Sequence, residues 1–214
     1  MSGGGIARIG LVALTVVALG GCVSPDIVLQ PKVLAQRQEP AQASAPAAAL
    51  TVEAGAAESP ASKYEERSDK TLIGRSESLG VHLSDISMQE APAAFVKRVV
   101  ESSLEYWGYR PSSAGGLLKV QVRVNKFSMD SRAINAFQFQ SDGAIDADLN
   151  VSRTDGAALY SGHYQSACTQ TTASQMPSKE YLEQIFDRCV KDFQAKLESD
   201  AALRAALQTG SAAK

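Results

Sequence analysis

The sequence predicts an α+β fold, an antiparallel sheet with two main helices packed on one face, and three observations predict it. Apolar and polar residues alternate from Leu118 to Asn125 and again from Ile145 to Val151, the period of a half-buried strand. Val96, Val99, Val100, Ser103, Leu104 and Trp107 recur mostly at steps of three and four, which lays an apolar stripe along a helix. A second stripe of Leu182, Ile185, Phe186, Cys189, Phe193 and Leu197 follows the last strand.

The chain opens on an apolar run from Ile9 to Cys22. A permanent membrane helix takes about 20 apolar residues, so this run is too short to be one, but it has the length of a signal-peptide core. Arg8 and the amino terminus give it a sparse positive flank. Its ending, Leu19-Gly20-Gly21-Cys22, resembles a bacterial lipobox, which implies that residues 1–21 are a lipoprotein signal peptide and that Cys22 carries the lipid. Each buried methylene of such an anchor contributes about 0.8 kcal/mol, so several acyl chains hold firmly. Val23, rather than Asp, follows the cysteine, and by the sorting pattern of such lipoproteins this implies the periplasmic face of the outer membrane. The other reading is an ordinary secretory signal, cleaved elsewhere, with Cys22 unmodified.

Composition narrows the rest. The chain has 21 Lys plus Arg against 23 Asp plus Glu, so no strong field points to nucleic acid. Of three cysteines, Cys22 goes to lipid, which leaves Cys168 and Cys189 as an even pair in an oxidising compartment. A disulfide is expected, stabilising by roughly 3 kcal/mol on the chain-entropy model; two buried free thiols are the alternative. After the signal peptide, residues 22–48 read as the lipidated end and an Ala, Pro and Gln-rich tether, 49–208 as one domain, and 209–214 as a frayed end. A flexible coil of that length would hold the domain on the order of 30 Å from the bilayer. Within it, Ile27-Val28-Leu29 is either a short strand at the domain edge or more tether.

The folded part begins with the alternation of Leu50-Thr51-Val52-Glu53-Ala54. Thr71–Arg75 and Gly80–Leu83 follow as two short strands after a charged, solvated connection. Pro92, tolerated in a first turn, starts the first helix, and Gly108 with Pro111 stops it. The strand ending at Asn125 leads to a polar loop, Ser128–Arg132, and then to Ala136–Gln140 and Ile145–Val151, with Asp142-Gly143 as a bulge or a turn between them. A hairpin turn at Thr154–Ala157 returns the chain through Ala158–Tyr164 toward Cys168. Tyr160, Tyr164 and Cys168 share a strand face, so a helix packed there would bring Cys189 to Cys168. Asp200–Gln208 has the length of a short terminal helix.

Few residues are spaced for chemistry. Asp146-Ala147-Asp148-Leu149-Asn150 matches the first ligands of a calcium loop, but Val151 stands where glycine is needed and Ala157 where the bidentate glutamate belongs. Alternating acids on the wet face of a strand, with Lys119 and Arg123 across from them, explain the same residues. His82 and His163 have no metal-ligand spacing to a Cys or carboxylate, so they read as exposed or hydrogen-bonded structural histidines. Gly74-Arg75-Ser76-Glu77-Ser78 falls one residue short of a nucleophile elbow. No catalytic residue, metal or cofactor is assigned, and the expectation is a non-enzymatic protein.

Several short patterns occur in a familiar order: the acid-Arg-acid patch Glu65-Glu66-Arg67-Ser68-Asp69, Ile73-Gly74, a helix ending in Trp107-Gly108-Tyr109, and the long meander. In this order the chain resembles the YajG-type family of uncharacterised envelope lipoproteins, although Glu65 stands where members tend to have Asp and the cysteine pair is not a feature associated with the group. The resemblance implies an α+β domain and no established activity. The expected function is therefore a lipid-anchored periplasmic interaction or assembly protein with an envelope protein partner. The alternative is a carrier that binds a lipid, glycan or peptide fragment in an aromatic groove of Trp107, Tyr109, Tyr160 and Tyr164 between helix and sheet; core packing explains those four residues as well.

Overall fold

The computed structural model describes residues 26–31, 49–55, 71–111, 118–173 and 176–212. In chain order the elements are β1 (Ile27–Leu29), β2 (Ala49–Gly55), β3 (Leu72–Ser78), β4 (Val81–Met88), α1 (Pro92–Tyr106), β5 (Arg110–Pro111), β6 (Leu118–Asn135), β7 (Gln138–Arg153), β8 (Ala158–Thr172), α2 (Lys179–Ser199) and α3 (Ala201–Ala212). The strands form one sheet built around β6. Along one side β6 pairs with β7 over nearly its whole length, and β7 in turn pairs with β8, all antiparallel. Along the other side its first half pairs with β2 and its second half with β3, both parallel. β4 then pairs antiparallel with β3, and β1 parallel with β4.

The α+β expectation therefore holds, but the sheet is mixed rather than antiparallel throughout. The physical reason is connectivity: short turns force antiparallel neighbours, whereas a parallel neighbour arrives through a long crossover. Here β4 and α1 together lie in the long connection between β3 and β6, which run parallel.

The stretch Ser128–Arg132, expected as a polar loop, is strand. It lies inside β6, and Ser128, Met129 and Ser131 are buried. Register shifts between Val124 and Lys126, leaving Asn125 as a bulge. An extra residue reverses the faces of everything after it, so the buried set changes from Leu118, Val120, Val122 and Val124 to Phe127, Met129 and Ser131. Asp142-Gly143, expected as a bulge or a turn, is neither: pairing runs regularly through it, with Gly143 opposite Met129. A Cβ at Gly143 would lie 3.0 Å from Cys189 Sγ and 3.3 Å from Met129 Sδ, so the glycine makes room for what packs above it.

The helices end where their capping chemistry says they should. Past α1, Gly108 takes φ 87°, and its N–H donates to Glu105 O at 2.9 Å while that of Tyr109 donates to Leu104 O at 3.0 Å. These two bonds close a Schellman motif. Ser178 caps α2 by accepting from Tyr181 N at 3.2 Å. Phe95 of α1, Phe127 of β6 and Phe186 of α2 meet at ring-centroid distances of 5.1 to 6.3 Å, and Leu203 and Leu207 of α3 join the same core. α3 runs to Ala212, so residues 209–212, expected to fray, are helical. Gly210 is buried against Leu118 and Leu159.

Ile27–Leu29, left open by the sequence between an edge strand and tether, is a strand of the sheet. Ile27, Val28 and Leu29 pair with Ile86, Ser87 and Met88; Leu29 is fully buried, and Gln30 N–H donates to Glu183 Oε1 of α2 at 2.9 Å. The acid-Arg-acid patch at 65–69 lies outside the described residues.

β3 crosses β6 closely at Gly74, where a Cβ would stand 1.9 Å from Met129 O. Backbone cannot yield there, so Gly74→Ala is expected to cost more than about 3 kcal/mol, read as a lowered midpoint in urea denaturation or as failure to accumulate folded protein.

Candidate functional site

The four aromatic residues picked from sequence are gathered along α3. Tyr160 and Tyr164, four residues apart on β8, both donate from their phenols to Asp200 Oδ2, at 2.5 and 2.8 Å. The two phenol oxygens lie 2.8 Å apart. Each phenol has one proton, so when both serve Asp200 the contact between them is not a third hydrogen bond. Burial pushes the Tyr164 phenol far above its ordinary pKa, reinforced by Tyr160 and Asp200. Burial pushes Asp200 up, but hydrogen bonds from Tyr160, Leu203 N, Tyr164 and Ala202 N outweigh it and hold the carboxyl below its ordinary value. Trp107 lies beneath Arg204 of α3, with the guanidinium 5.2 Å from the ring, and Tyr109 hydrogen-bonds Ser211 of α3. Helix α3 thus occupies the space beside all four.

Asp200 was not picked out from sequence, although a signal existed: an aspartate immediately before an apolar run is a helix N-cap. It closes α2 and starts α3, accepting from Leu203 N at 2.9 Å.

Cys168 of β8 and Cys189 of α2 form a disulfide with 5.5 Å between their Cα atoms. Ser166 Oγ, two residues earlier on the same face, donates to Cys189 O at 2.9 Å. The shared face of Tyr160, Tyr164 and Cys168 is the one that meets α2 and Asp200. Cys22 lies outside the described residues.

The wet face of the meander carries a small polar cluster. Asn125, at the bulge, donates through Nδ2 to Asp146 Oδ1 at 3.1 Å and to Asp148 Oδ2 at 2.9 Å. His163 Nδ1 lies 2.8 Å from Asp148 Oδ1, and its Nε2 lies 3.6 Å from Asp146 Oδ2. The hydrogen bond to Asp148, then the charge of Asp146, raise the His163 pKa above its ordinary value, and the bonds from Asn125 and then His163 lower that of Asp148. His82 instead lies 2.8 Å from Asp85 Oδ1, which also faces Arg75 Nε at 3.6 Å. Among the described residues no group of three His, Cys, Asp or Glu is placed to hold a metal ion. No helix among them is long and apolar enough to cross a membrane.

Ser76, the serine of the near-elbow, is fully buried in β3. It pairs in register with Ser84 of β4 and Ser131 of β6, and Ser131 Oγ meets Ser141 Oγ of β7 at 3.0 Å. This row of four buried hydroxyls spans four strands, and only the register reveals it.

Strand β8 forms one border of the sheet. Among the described residues it pairs only with β7, and from Ala158 to Thr172 its one ionisable side chain outside the disulfide and the two tyrosines is His163. Lys196 Nζ of α2 donates to Gln165 O at 2.7 Å. Since a strand residue points its N–H and C=O the same way, Gln165 and its odd-numbered neighbours from Ser161 to Thr171 turn those groups to the open side.

Residues 64–208 match the model of a family described as an uncharacterised lipoprotein. No protein among curated sequences matches. Among solved structures, a Xanthomonas campestris protein of the DUF330 family is similar with a TM-score of 0.50 at 10% identity, covering 86% of this chain and 96% of that one. A minor lipoprotein from Acinetobacter baumannii gives 0.37 at 9% identity over 60% of this chain and 93% of that one. The PelC dodecamer from Paraburkholderia phytofirmans gives 0.27 at 10% identity over 58% and 88%. The first shares the fold.

Asp200→Ala leaves two phenols and the first turn of α3 without their acceptor and is expected to cost about 2–3 kcal/mol in chemical denaturation, with Tyr160→Phe costing less. His163, with its pKa raised in the folded state, contributes stability that is complete below its unfolded pKa of about 6.5 and is lost as pH rises through the higher folded value. Melting temperature is therefore expected to decline slightly across that window, and the slope to vanish in His163→Gln; an unchanged slope would show that the contact does not form in solution.

Proposed function

The chain belongs to the family of uncharacterised lipoproteins whose model spans residues 64–208, and from that premise we propose that it is a non-enzymatic interaction subunit, anchored by lipid on Cys22 at the periplasmic face of the outer membrane. We place its partner site along the open side of β8, where a strand of an envelope protein would add to the sheet. The supporting observation is the character of that border. Natural edge strands are blunted by charges, prolines, bulges or short length, whereas β8 is fifteen residues long and has no proline and no Lys, Arg, Asp or Glu; its one register shift, at Leu159, precedes the stretch from Ser161 to Thr171. Its exposed side chains, Ser161, His163, Gln165, Thr169 and Thr171, would line the added strand. Main-chain hydrogen bonds would supply affinity, and alternate side chains specificity.

Lys196 engages one carbonyl near the middle of the border, which leaves a stretch on either side of Gln165. The carrier reading draws less support, because the rings and hydroxyls assigned to its groove are engaged by α3.

The test is site-specific photocrosslinking in intact cells from Thr169 and from Ser161, with Ala167→Pro as the discriminating variant. The N–H of Ala167 faces the open side, so proline there removes no ladder bond within the domain and blocks strand addition. One discrete crosslinked protein, lost in Ala167→Pro and in Cys22→Ala, is expected. Recovery of only abundant outer-membrane proteins, unaffected by the proline, would sink this reading, as would turnover of an envelope substrate that depends on one side chain.

A further inference from the structure

Most large apolar side chains of the domain are buried, and four of the most exposed sit together. Leu79 is 83% exposed, Phe137 73%, Val81 63% and Ile134 48%. Leu79 lies in the turn between β3 and β4 and Val81 opens β4; Phe137 lies in the turn between β6 and β7 and Ile134 next to the end of β6. Because β3 runs parallel to β6, with Ser76 and Glu77 opposite Ser131 and Arg132, both hairpins turn at the same end of the sheet on neighbouring strands. Neither Ser78–Val81 nor Ala133–Phe137 contains a charged residue.

The first turn is conformationally costly for the residue it exposes. Leu79 and Gly80 take φ of 51° and 79°, both in the left-handed region, and connect Ser78 to Val81 as a two-residue hairpin turn. Asn or Asp is the usual first residue of such a turn, because a leucine meets its own Cβ strain there. A leucine held in that conformation and left in water gains nothing from its side chain.

What lies near this end follows from β1. It is parallel to β4, which begins at the Leu79-Gly80 turn, so the chain approaches β1 from the direction of the two turns and enters it beside Ile86. Asp26 lies beside Asp85, its Oδ1 accepting from Asp85 N at 3.4 Å, four positions along β4 from Val81 and so roughly 13 Å from the tip. Cys22 stands four positions before it, no more than about 14 Å away, so an extended segment running back along β4 brings the lipidated position to the level of the tips.

We propose that Leu79 and Val81 of one tip and Ile134 and Phe137 of the other insert into the surface of the membrane that holds the Cys22 lipid, docking the domain with its strands rising away from the bilayer. The inference rests on the lipid anchor of the preceding reading and adds an orientation. Uncharged apolar tips enter the headgroup and acyl boundary without carrying a charge out of water, and the anchor confines them there at high local concentration.

The experiment uses the lipidated chain in vesicles of phosphatidylethanolamine and phosphatidylglycerol. An environment-sensitive fluorophore is attached at Leu79→Cys, Phe137→Cys and, as control, Thr154→Cys. Cys22 is acylated and Cys168 is joined to Cys189, so only the introduced thiol reacts. Thr154 is exposed at the far end of the sixteen-residue β7, roughly 50 Å from the tips. Doxyl groups about 5–10 Å below the bilayer surface are expected to quench the probes at 79 and 137 severalfold more than the probe at 154. A chain that floats with the vesicles while both tip probes remain as water-exposed as the control overturns the docking and leaves the anchor standing. Tip probes shielded from water yet untouched by doxyl lipid overturn it in favour of a protein cover. A chain that does not float overturns the anchor, and the docking with it.

Discussion

One extra residue lets a single strand serve two different neighbours. At Asn125 the strand β6 bulges, and the side chain of that residue spans Asp146 and Asp148 on β7, holding the irregularity in place. Before the bulge, β6 turns Val120, Val122 and Val124 inward and accepts β2; after it, Phe127 and Met129 turn inward and β3 takes the place of β2. Without the reversal, Lys126 and Asp130 would point into the core and Phe127 into water. The packing of Phe127 against Phe95 and Phe186 therefore depends on a hydrogen-bonded asparagine on the opposite face.

That dependence explains what the sequence made legible. The stripes of α1 and α2 and the meander from β6 to β8 were all readable, because each announces itself within a window of a few residues. The second half of β6 was not, since alternation read across a bulge looks like a polar loop and Ser128 and Ser131 are polar letters in buried positions. Parallel partners were invisible for a different reason: β1, β2 and β3 reach their neighbours across long stretches of chain, and strand period does not encode the neighbour. Among site residues, the aromatic quartet and the cysteine pair were visible by type and spacing. Asp200, which ties Tyr160 and Tyr164 to two helices, was not picked out because its partners lie 40 and 36 residues away.

The disulfide shows how one contact can require a second position to be small. Cys189 is fully buried between α2 and the sheet, and its sulfur lies where a side chain at Gly143 would begin. A larger residue at 143 would push α2 outward and with it Phe186, which shares both the glycine and the aromatic cluster. The glycine that looks like a turn signal in the sequence is therefore a packing device in the middle of a regular strand.

The short strand β1 changes the meaning of the amino-terminal segment. Read as tether from Pro25 onward, it would let the domain roam on the order of 30 Å from the bilayer in any orientation. With Leu29 buried and Gln30 bonded to α2, the leash is a few residues long, and the stretch after β1 becomes a connection within the domain rather than a spacer before it. A leash of that length restricts orientation: the chain reaches β1 from the side of the two turns, and the anchor stays within about 14 Å of Asp26. In the placement proposed above, β8 then stands upright from the membrane, on the border of the sheet opposite β1. A partner strand added there would run along the membrane normal.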